Sequence, residues 1–153
     1  VWEKAEPERL TSLIVRGKYA GEQLAQFRRC IRYLKRWKQI NFTSPMPYSI
    51  ALTVAAYNWF EPRQGFFGDA PNDLEALLNL VRQMDSAFWY GRLKIKLPVA
   101  PKTDLAALMT DKQMQDFREK LRKLAKALET ARDANDDEDS LNILRGEFGE
   151  AFG

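Results

Sequence analysis

The sequence contains no histidine, and this absence alone excludes several classes of site. Without imidazole there is no His-based acid–base catalysis, no Ser-His-Asp or Cys-His arrangement and little basis for a zinc site. The one cysteine, Cys30, excludes an internal disulfide and is typical of a reducing compartment. The sequence also has no signal peptide, no membrane-length apolar run and no glycine-rich phosphate loop. We therefore expect a cytoplasmic protein without membrane contact.

The chain does contain ample material for one hydrophobic core. Of its 153 residues, 45% are hydrophobic and 12% are aromatic, which predicts a single globular domain. The formal net charge of +3 permits an anionic partner, but it is far from the concentrated basic surface of a dedicated nucleic-acid binder. The chain begins at Val1, within an amphipathic segment, and we expect it to be a fragment of a longer protein.

The stretch FRRCIRYLKRWKQI is strongly amphipathic and predicts a helix over residues 22–39. At about 100° per residue, this helix has one apolar arc and one cationic arc. The apolar arc consists of Leu24, Phe27, Cys30, Ile31, Leu34 and Trp37. The cationic arc consists of Arg28, Arg29, Arg32, Lys35 and Arg36, with Lys35 near its border. A solvated surface helix and a ligand-facing helix both fit this pattern.

Two residues on the apolar side of this helix carry specific expectations. Cys30 is predicted to be a buried structural thiol rather than a nucleophile. Lys38 falls inside the apolar arc, so its ammonium group must either extend to water or meet an anion. Lys38 is thus a hint of a ligand contact rather than a site by itself.

A proline-containing turn, Ser44 to Pro47, ends the basic helix because a proline lacks an amide donor and restricts the residue before it. The next stretch, PYSIALTVAAYNWF, is apolar almost all round and predicts a buried central helix over 47–60. Ser49 and Thr53 are its polar exceptions, four residues apart on one face. A hydroxyl bonded to the preceding turn of the helix is the common structural role for such residues.

Capping signals predict the beginnings of three other helices. Pro7 suits the first turn of a short helix near the start of the chain. The pairs Asn72 with Glu75 and Thr110 with Gln113 both match the reciprocal capping box. The helix after Thr110 has one narrow apolar stripe and otherwise charged faces, so it is predicted to be a long surface helix.

The ends of the later elements are less sharply marked. The helix after Asn72 is expected to carry its apolar face through Trp89 to Gly91. The acidic run Asp133–Asp139 lacks the spacing of a calcium loop and is predicted to be a solvated linker. A last short helix is predicted over Ser140–Phe148, followed by a tail that frays.

Together these patterns predict an all-α fold. We expect a single compact domain over residues 1–153, with about six helices and the helix 47–60 buried near its centre. The stretch RLKIKLPV alternates for a few residues, but no partner strand is visible, so no sheet is predicted.

Several segments, taken in order, resemble the C-terminal part of the cGAS/DncV-like nucleotidyltransferases (CD-NTases). These are bacterial synthases of cyclic oligonucleotide second messengers in anti-phage signalling. The segments are WEKAEPERL, RRCIRYLKRWK with its Ser/Pro turn, PYSIALTVAAY, LPVAPKTDLAALMTDKQMQDFREKLRKLAKALETA and ILRGEFGEAFG. The resemblance covers nearly the whole chain. It implies a helical C-terminal sensor domain packed against a catalytic domain of the polymerase-β type.

The resemblance also implies roles for particular residues. Family members hold a nucleotide triphosphate with a Lys on the LKxW helix and a Ser on the following helix. These correspond to Lys35 and Ser49, with Lys38 as the reserve candidate, and Asp104 is a candidate contact for a base edge. The family's Gly-Ser turn and Mg²⁺-binding acids have no counterpart in this sequence. We therefore expect Mg²⁺, NTP and catalysis to belong to the parent nucleotidyltransferase, and no metal site or turnover in this chain alone.

A further implication concerns the tail. In some of these operons a ubiquitin-ligase-like partner recognises the C-terminus of the synthase and conjugates it to targets. Phe152 and Gly153 would be the recognised residues, and a frayed end is the alternative interpretation. A different class of function is a free-standing helical interaction module, which would bind acidic protein or nucleic acid through the basic helix 22–39.

Overall fold

The fold consists of five α-helices in the part of the chain that the structure, a computed structural model, describes: residues 17–64 and 72–152. No strand occurs there, although isolated bridges pair Trp89 with Arg92 and Lys96 with Asp104. The all-α prediction is therefore confirmed. The number of helices differs slightly from the predicted six or so, and the short helix predicted after Pro7 lies outside the described residues. The helices are α1 (Gly21–Asn41), α2 (Ser49–Trp59), α3 (Asp73–Ser86), α4 (Asp111–Arg132) and α5 (Asp137–Phe148).

Helix α2 is the buried centre of the bundle, as predicted. Its residues Ala51–Ala56 are all buried, and it packs against both α1 and α3. The helix is slightly shorter than the predicted 47–60, because the first turn begins only after Pro47 and Tyr48 and the last one closes at Trp59. None of the described helices is long and apolar enough to cross a membrane.

Consecutive helices run antiparallel, so that several helix ends meet at one end of the bundle. The loop 42–48 reverses the chain between α1 and α2, and the pairs Glu75–Arg132 and Asp85–Arg118 align α3 with α4 in opposite directions. Consequently α1 and α3 finish where α2 and α4 begin. We call this the Ser49 end, after the first residue of α2.

Aromatic rings fill the interior of the Ser49 end. The ring of Phe117, in the second turn of α4, lies 6.1–6.4 Å from the rings of Trp37, Phe42 and Phe88. A hydrogen bond of 3.5 Å from Gln113 to the Ser44 hydroxyl also connects the start of α4 to the loop before α2. These contacts join all four converging helices.

The two predicted capping boxes differ in outcome. Thr110 and Gln113 form the complete reciprocal box at the start of α4. The side-chain oxygen of Asn72 caps α3 by accepting from the backbone amide of Glu75. The backbone amide of Asn72, however, donates to the carbonyl of Arg63 instead of to the Glu75 side chain. A hydrogen bond to the loop before α3 therefore replaces one of the two bonds of the capping box.

Helix α3 ends at Ser86, earlier than the predicted Gly91. Trp89 and Arg92 exchange two backbone hydrogen bonds across a tight turn whose central residues, Tyr90 and Gly91, both have positive φ. Trp89 is therefore exposed, and the expectation that it extends the apolar face of the helix is wrong.

The acidic run before the last helix is not a plain linker. Helix α5 begins at Asp137 rather than Ser140, with Asp136 as its N-cap accepting from the amide of Asp139. Three acidic residues occupy the first turn, where the positive end of the helix dipole stabilises negative charge. The same acids that suggested a solvated stretch therefore start the helix.

The segment after α5 folds back on the domain instead of fraying. Arg36 donates to the carbonyl of Phe148 at 2.7 Å, and Asn41 donates to that of Glu147 at 2.8 Å, so α1 caps the end of α5. Gly149 then reverses the chain with a φ of 94°. An added Cβ there would lie 3.0 Å from the Ile40 side chain.

Gly149→Ala is expected to destabilise the domain by about 1–3 kcal/mol, because it combines a left-handed backbone with close contacts to α1. The matched control is Gly146→Ala, since Gly146 lies within α5 and has open space around it. That change is expected to be neutral or to stabilise the domain by up to about 1 kcal/mol. Chemical denaturation of both variants measures the difference, and equal effects would contradict this account of the turn.

Candidate functional site

The cations of α1 fall into two sets. Arg29 and Arg36 face other parts of the fold: Arg29 pairs with Glu22 and Asp73, each at 2.7 Å, and Arg36 caps α5. Arg28, Arg32 and Lys35 are exposed. Two of the five residues of the predicted cationic arc therefore stabilise the fold rather than offer charge to a ligand.

Asp73, the first residue of α3, is the centre of a polar network with α1. Its carboxylate accepts hydrogen bonds from Arg29, Gln26 and Tyr33. Burial by itself would raise the pKa of Asp73, but the hydrogen bonds from Arg29 and Gln26, the charge of Arg29 and the hydrogen bond from Tyr33 outweigh burial and lower it. Gln26 extends the network to the backbone of Arg63: its side-chain nitrogen donates to the Arg63 carbonyl, and its side-chain oxygen accepts from the Arg63 amide. The sequence marked none of these partners, because the contacts span about forty positions.

The three exposed cations of α1 form one stripe. Arg28, Arg32 and Lys35 lie within about 60° of one another around the helix axis. Lys35 is the member of the stripe nearest the Ser49 end. The stripe can present positive charge to a phosphate group or to an acidic surface.

Lys38 lies one turn further along α1, on the border of the core. Its side chain is half-buried, and burial lowers the pKa of its ammonium group. No carboxylate contributes to that shift among the described residues. The contact of Lys38 with an anion stays a prediction, and its place in the last turn of α1 puts it towards the Ser49 end.

Ser49 is exposed at the first position of α2. The N-cap residue Tyr48 makes no side-chain capping bond, and no acidic residue occupies the first turn. The structural bond to the preceding turn is made by Thr53, whose hydroxyl donates to the carbonyl of Ser49 at 3.3 Å. The start of α2 therefore combines a hydroxyl with backbone amides that carry the positive end of the helix dipole.

Asp104 lies elsewhere. One of its carboxylate oxygens accepts from the amides of Ile95 and Ala106, at 2.9 and 3.0 Å. Asp104 pairs through its backbone with Lys96. The carbonyl of Lys96 accepts a hydrogen bond from the side-chain amide of Asn58, near the far end of α2. Asp104 thus braces the loop before α4. Through Lys96 this loop contacts Asn58, which lies about 13.5 Å along α2 from Ser49 at 1.5 Å per residue.

Phe152 packs against the domain. Its ring stacks on Phe148 with 5.0 Å between centroids and meets Tyr33 edge-on, and its carbonyl accepts from Arg145 at 3.1 Å. Together with leucines from α3, α4 and α5, these rings line an apolar cavity of about 160 Å³. Gly153 lies outside the described residues.

The remaining chemical candidates are structural. Cys30 is fully buried, and burial raises the pKa of its thiol to about 12, so the prediction of an unreactive core cysteine is confirmed. Within residues 17–64 and 72–152, no group of three acidic or cysteine side chains is arranged to hold a metal ion. The carboxylates of the described residues therefore do not converge on a cation.

The family model described as "Cyclic GMP-AMP synthase, C-terminal domain" matches residues 24–152, which is most of the chain. The matched region begins within α1 and includes every site residue discussed above except Gly153. No curated protein matches the chain significantly.

Asp73→Asn is expected to cost about 1–3 kcal/mol of stability at neutral pH, because the charged acceptor of Arg29 is lost. The folded-state pKa of Asp73 is lowered, so its contribution is present above pH about 4 and is lost as pH falls through the folded-state value. Denaturation as a function of pH should show the stability gap closing below pH about 4. The control, Glu150→Gln in the exposed turn after α5, should track the unaltered protein, and a gap that stays constant would disprove this linkage.

Proposed function

The chain belongs to the family of cyclic GMP-AMP synthase C-terminal domains, and we propose that within such a synthase Lys35 and Ser49 contact the triphosphate of a bound nucleotide. Lys38 is the second ammonium group at the same end. The synthase would make a cyclic oligonucleotide second messenger for anti-phage defence, and this domain would serve as its sensor and phosphate-contacting part.

The observation that carries this proposal is the start of α2. Ser49 is exposed there, without an acidic neighbour in the first turn, and two lysines lie on the preceding helix towards the same end of the bundle. A hydroxyl, an ammonium group and oriented amides are the donors that phosphate oxygens accept. Positioning and charge stabilisation of this kind are what a phosphoryl-transfer enzyme requires of its non-metal residues.

We assign the remaining chemistry to the domain that precedes this one. Mg²⁺ prefers carboxylate ligands and would stabilise the charge that develops on the reacting phosphate. The described part of this chain has no such group of ligands, so Lys35 and Ser49 would hold the nucleotide while the Mg²⁺-binding acids act from the other side. The isolated chain would then bind NTP weakly and would not turn it over.

Asp104 would contact the base of the same nucleotide only if the nucleotide extends along α2. Its second carboxylate oxygen has no bond to the described backbone and can accept from an exocyclic amine. This role is compatible with its structural one, because the two backbone amides use only the first oxygen.

The exposed stripe of α1 supports one alternative function. A free-standing module that binds an acidic protein or a nucleic acid would use Arg28, Arg32 and Lys35 together. Its affinity would fall gradually as each cation is neutralised and steeply as salt is added. A triphosphate site would instead depend mainly on Lys35 and Ser49.

Isothermal titration of the chain with ATP and GTP tests the two functions. Lys35→Ala and Ser49→Ala are each expected to weaken binding about tenfold or more, since each removes a bond to a charged group. The matched control is Arg28→Ala, an exposed cation two turns away on the same stripe, which should change affinity less than about twofold. Equal losses for Arg28 and Lys35, or no binding by the unaltered chain, would contradict the triphosphate site.

We also propose that a ubiquitin-ligase-like enzyme recognises the segment with Phe152 and Gly153 and conjugates it to targets. The contacts of Phe152 with Tyr33, Phe148 and Arg145 would have to open first.

Arg145→Ala is therefore expected to raise the rate of conjugation, because it releases the carbonyl of Phe152 without changing the recognised residues. Removal of Gly153 should abolish conjugation. The exposed α4 residue Lys126 provides a control variant, Lys126→Ala, that should leave the rate unchanged. A conjugation assay with the partner from the same operon measures all three. Conjugation that persists without Gly153 would refute this role of the tail.

A further inference from the structure

An apolar cavity of about 160 Å³ lies where the tail after α5 packs on the Tyr33 side of the domain. Its walls are the rings of Tyr33, Phe148 and Phe152 together with four leucines from α3, α4 and α5. Close packing leaves few voids larger than a water molecule in the interior of a protein. A space of this size between the folded-back tail and four helices is therefore a candidate ligand site.

The size and the walls of the cavity limit its ligand to about one small apolar ring. An apolar cavity of about 150 Å³ with leucine and phenylalanine walls stays dry and binds a molecule such as benzene. Water is a poor occupant of such a space, because it needs at least two polar partners. A nucleotide, with its base, sugar and charged phosphates, is too large and too polar for these walls. The ligand class therefore differs from that proposed for Lys35 and Ser49.

Asp73 is the only charged residue among the described residues that line the cavity, and it disfavours a charged ligand. One of its oxygens accepts from Gln26 and Arg29, at 3.2 and 3.0 Å, and the other accepts from Arg29 and Tyr33, at 2.7 and 3.2 Å. A carboxylate has about four lone-pair sites, so these four bonds occupy all of them. An ammonium group would find no free acceptor there, and an anion would be repelled. The ligand is therefore expected to be neutral.

Tyr33 provides one hydrogen-bond acceptor on the wall of the cavity. Its hydroxyl group donates to Asp73, and among the described residues no other group bonds to its oxygen. The oxygen of a tyrosine hydroxyl group keeps lone pairs that accept a hydrogen bond. A ring with one O–H or N–H group can therefore bond to Tyr33 while its carbon atoms contact the leucines. Phenol and indole are simple molecules of this class.

We propose that the cavity binds a small neutral aromatic molecule with one hydrogen-bond donor, and that the bound molecule holds the tail in its packed position. The ring of Phe152 is one wall of the cavity, so the complete site exists only while the tail is packed. A ligand that binds only this state shifts the tail towards it. The consequence for conjugation rests on the proposed function of the tail, whereas the binding itself does not.

The size of the effect on the tail follows from mass action. The tail is held by the stacking of Phe152 on Phe148 at 5.0 Å and by the bond of 3.1 Å from Arg145 to the Phe152 carbonyl. A ligand at ten times its Kd lowers the population of the open tail about elevenfold, by the factor 1 + [L]/Kd. Conjugation, which requires the open tail, would slow by the same factor.

An NMR titration of the chain with phenol, indole and toluene tests the site directly. Phenol and indole are expected to shift the resonances of residues that line the cavity and to bind with a Kd of about 1 mM or lower. Toluene has no donor and should bind about fivefold more weakly than phenol. Benzylamine and benzoate are charged at neutral pH and serve as matched controls that should not bind.

Two variants assign the binding to the cavity. Tyr33→Phe keeps the ring but removes the acceptor, so it should weaken phenol about fivefold and leave toluene unchanged. Leu144→Phe fills part of the cavity and should abolish the binding of every probe. The control Lys126→Ala, on the exposed face of α4, should change neither ligand. If Leu144→Phe fails to fold, the contrast between phenol and toluene in Tyr33→Phe still decides the result.

Digestion with a carboxypeptidase measures release of the tail without nucleotide and without a conjugating partner. Phenol at ten times its Kd is expected to slow the removal of Phe152 about tenfold, because the protease acts on the open tail. Leu144→Phe should not respond to phenol. A free peptide with the sequence of residues 149–153 should be digested equally fast with and without phenol. If conjugation itself fails, the function of the tail is contradicted but the binding site is not.

Three results would each overturn the proposal. One is the absence of any shift at the cavity with millimolar phenol, indole or toluene. Another is binding of benzylamine as tight as that of phenol, because the contact would then be a charge pair with Asp73. The last is unchanged or faster removal of Phe152 in the presence of bound phenol, because the ligand would then replace the ring of Phe152 instead of packing against it.

Discussion

The burial of α2 is the constraint on which the rest of this structure depends. A helix that is apolar on nearly every side must be surrounded, and residues Ala51–Ala56 are all removed from water. Helices α1 and α3 accordingly pack against it in the opposite direction and present their polar faces outward. The two ends of α2 then differ in their surroundings: Ser49 at the start of the helix is exposed, whereas Asn58 near its end contacts the loop that Asp104 braces.

Helix α1 has two tasks that its sequence pattern does not separate. Arg29 and Arg36 look like members of the same cationic face as Arg32 and Lys35, yet they secure α3 and the end of α5. The charge left for a ligand is therefore smaller and more localised than the composition suggests. Neutralisation of the whole face would destabilise contacts within the domain, which is why the discriminating variants are those of Lys35 and of Arg28, two turns away on the same stripe.

The Ser49 end brings together several exposed features of the fold. The proposed phosphate contacts, the exposed turn with Trp89 and Tyr90 and the converging ends of four helices all occur there. The tail differs from this end because its aromatic residue is packed: the ring of Phe152 lines an apolar cavity instead of projecting into water. In the proposed function, the nucleotide would bind at the Ser49 end, whereas conjugation would involve the tail that packs on Tyr33.

Local patterns in the sequence determined the helical class, the central position of α2, the cap of α4 and the burial of Cys30, because periodicity and capping act within a few residues. Only the tertiary structure decided which arginines bond within the described fold, where α3 ends and where the tail packs. These outcomes depend on partners far away in the chain: Asp73 for Arg29, Phe148 for Arg36 and the Met109 carbonyl for Arg92. Such contacts form only after the helices have packed, and a sequence pattern does not contain them.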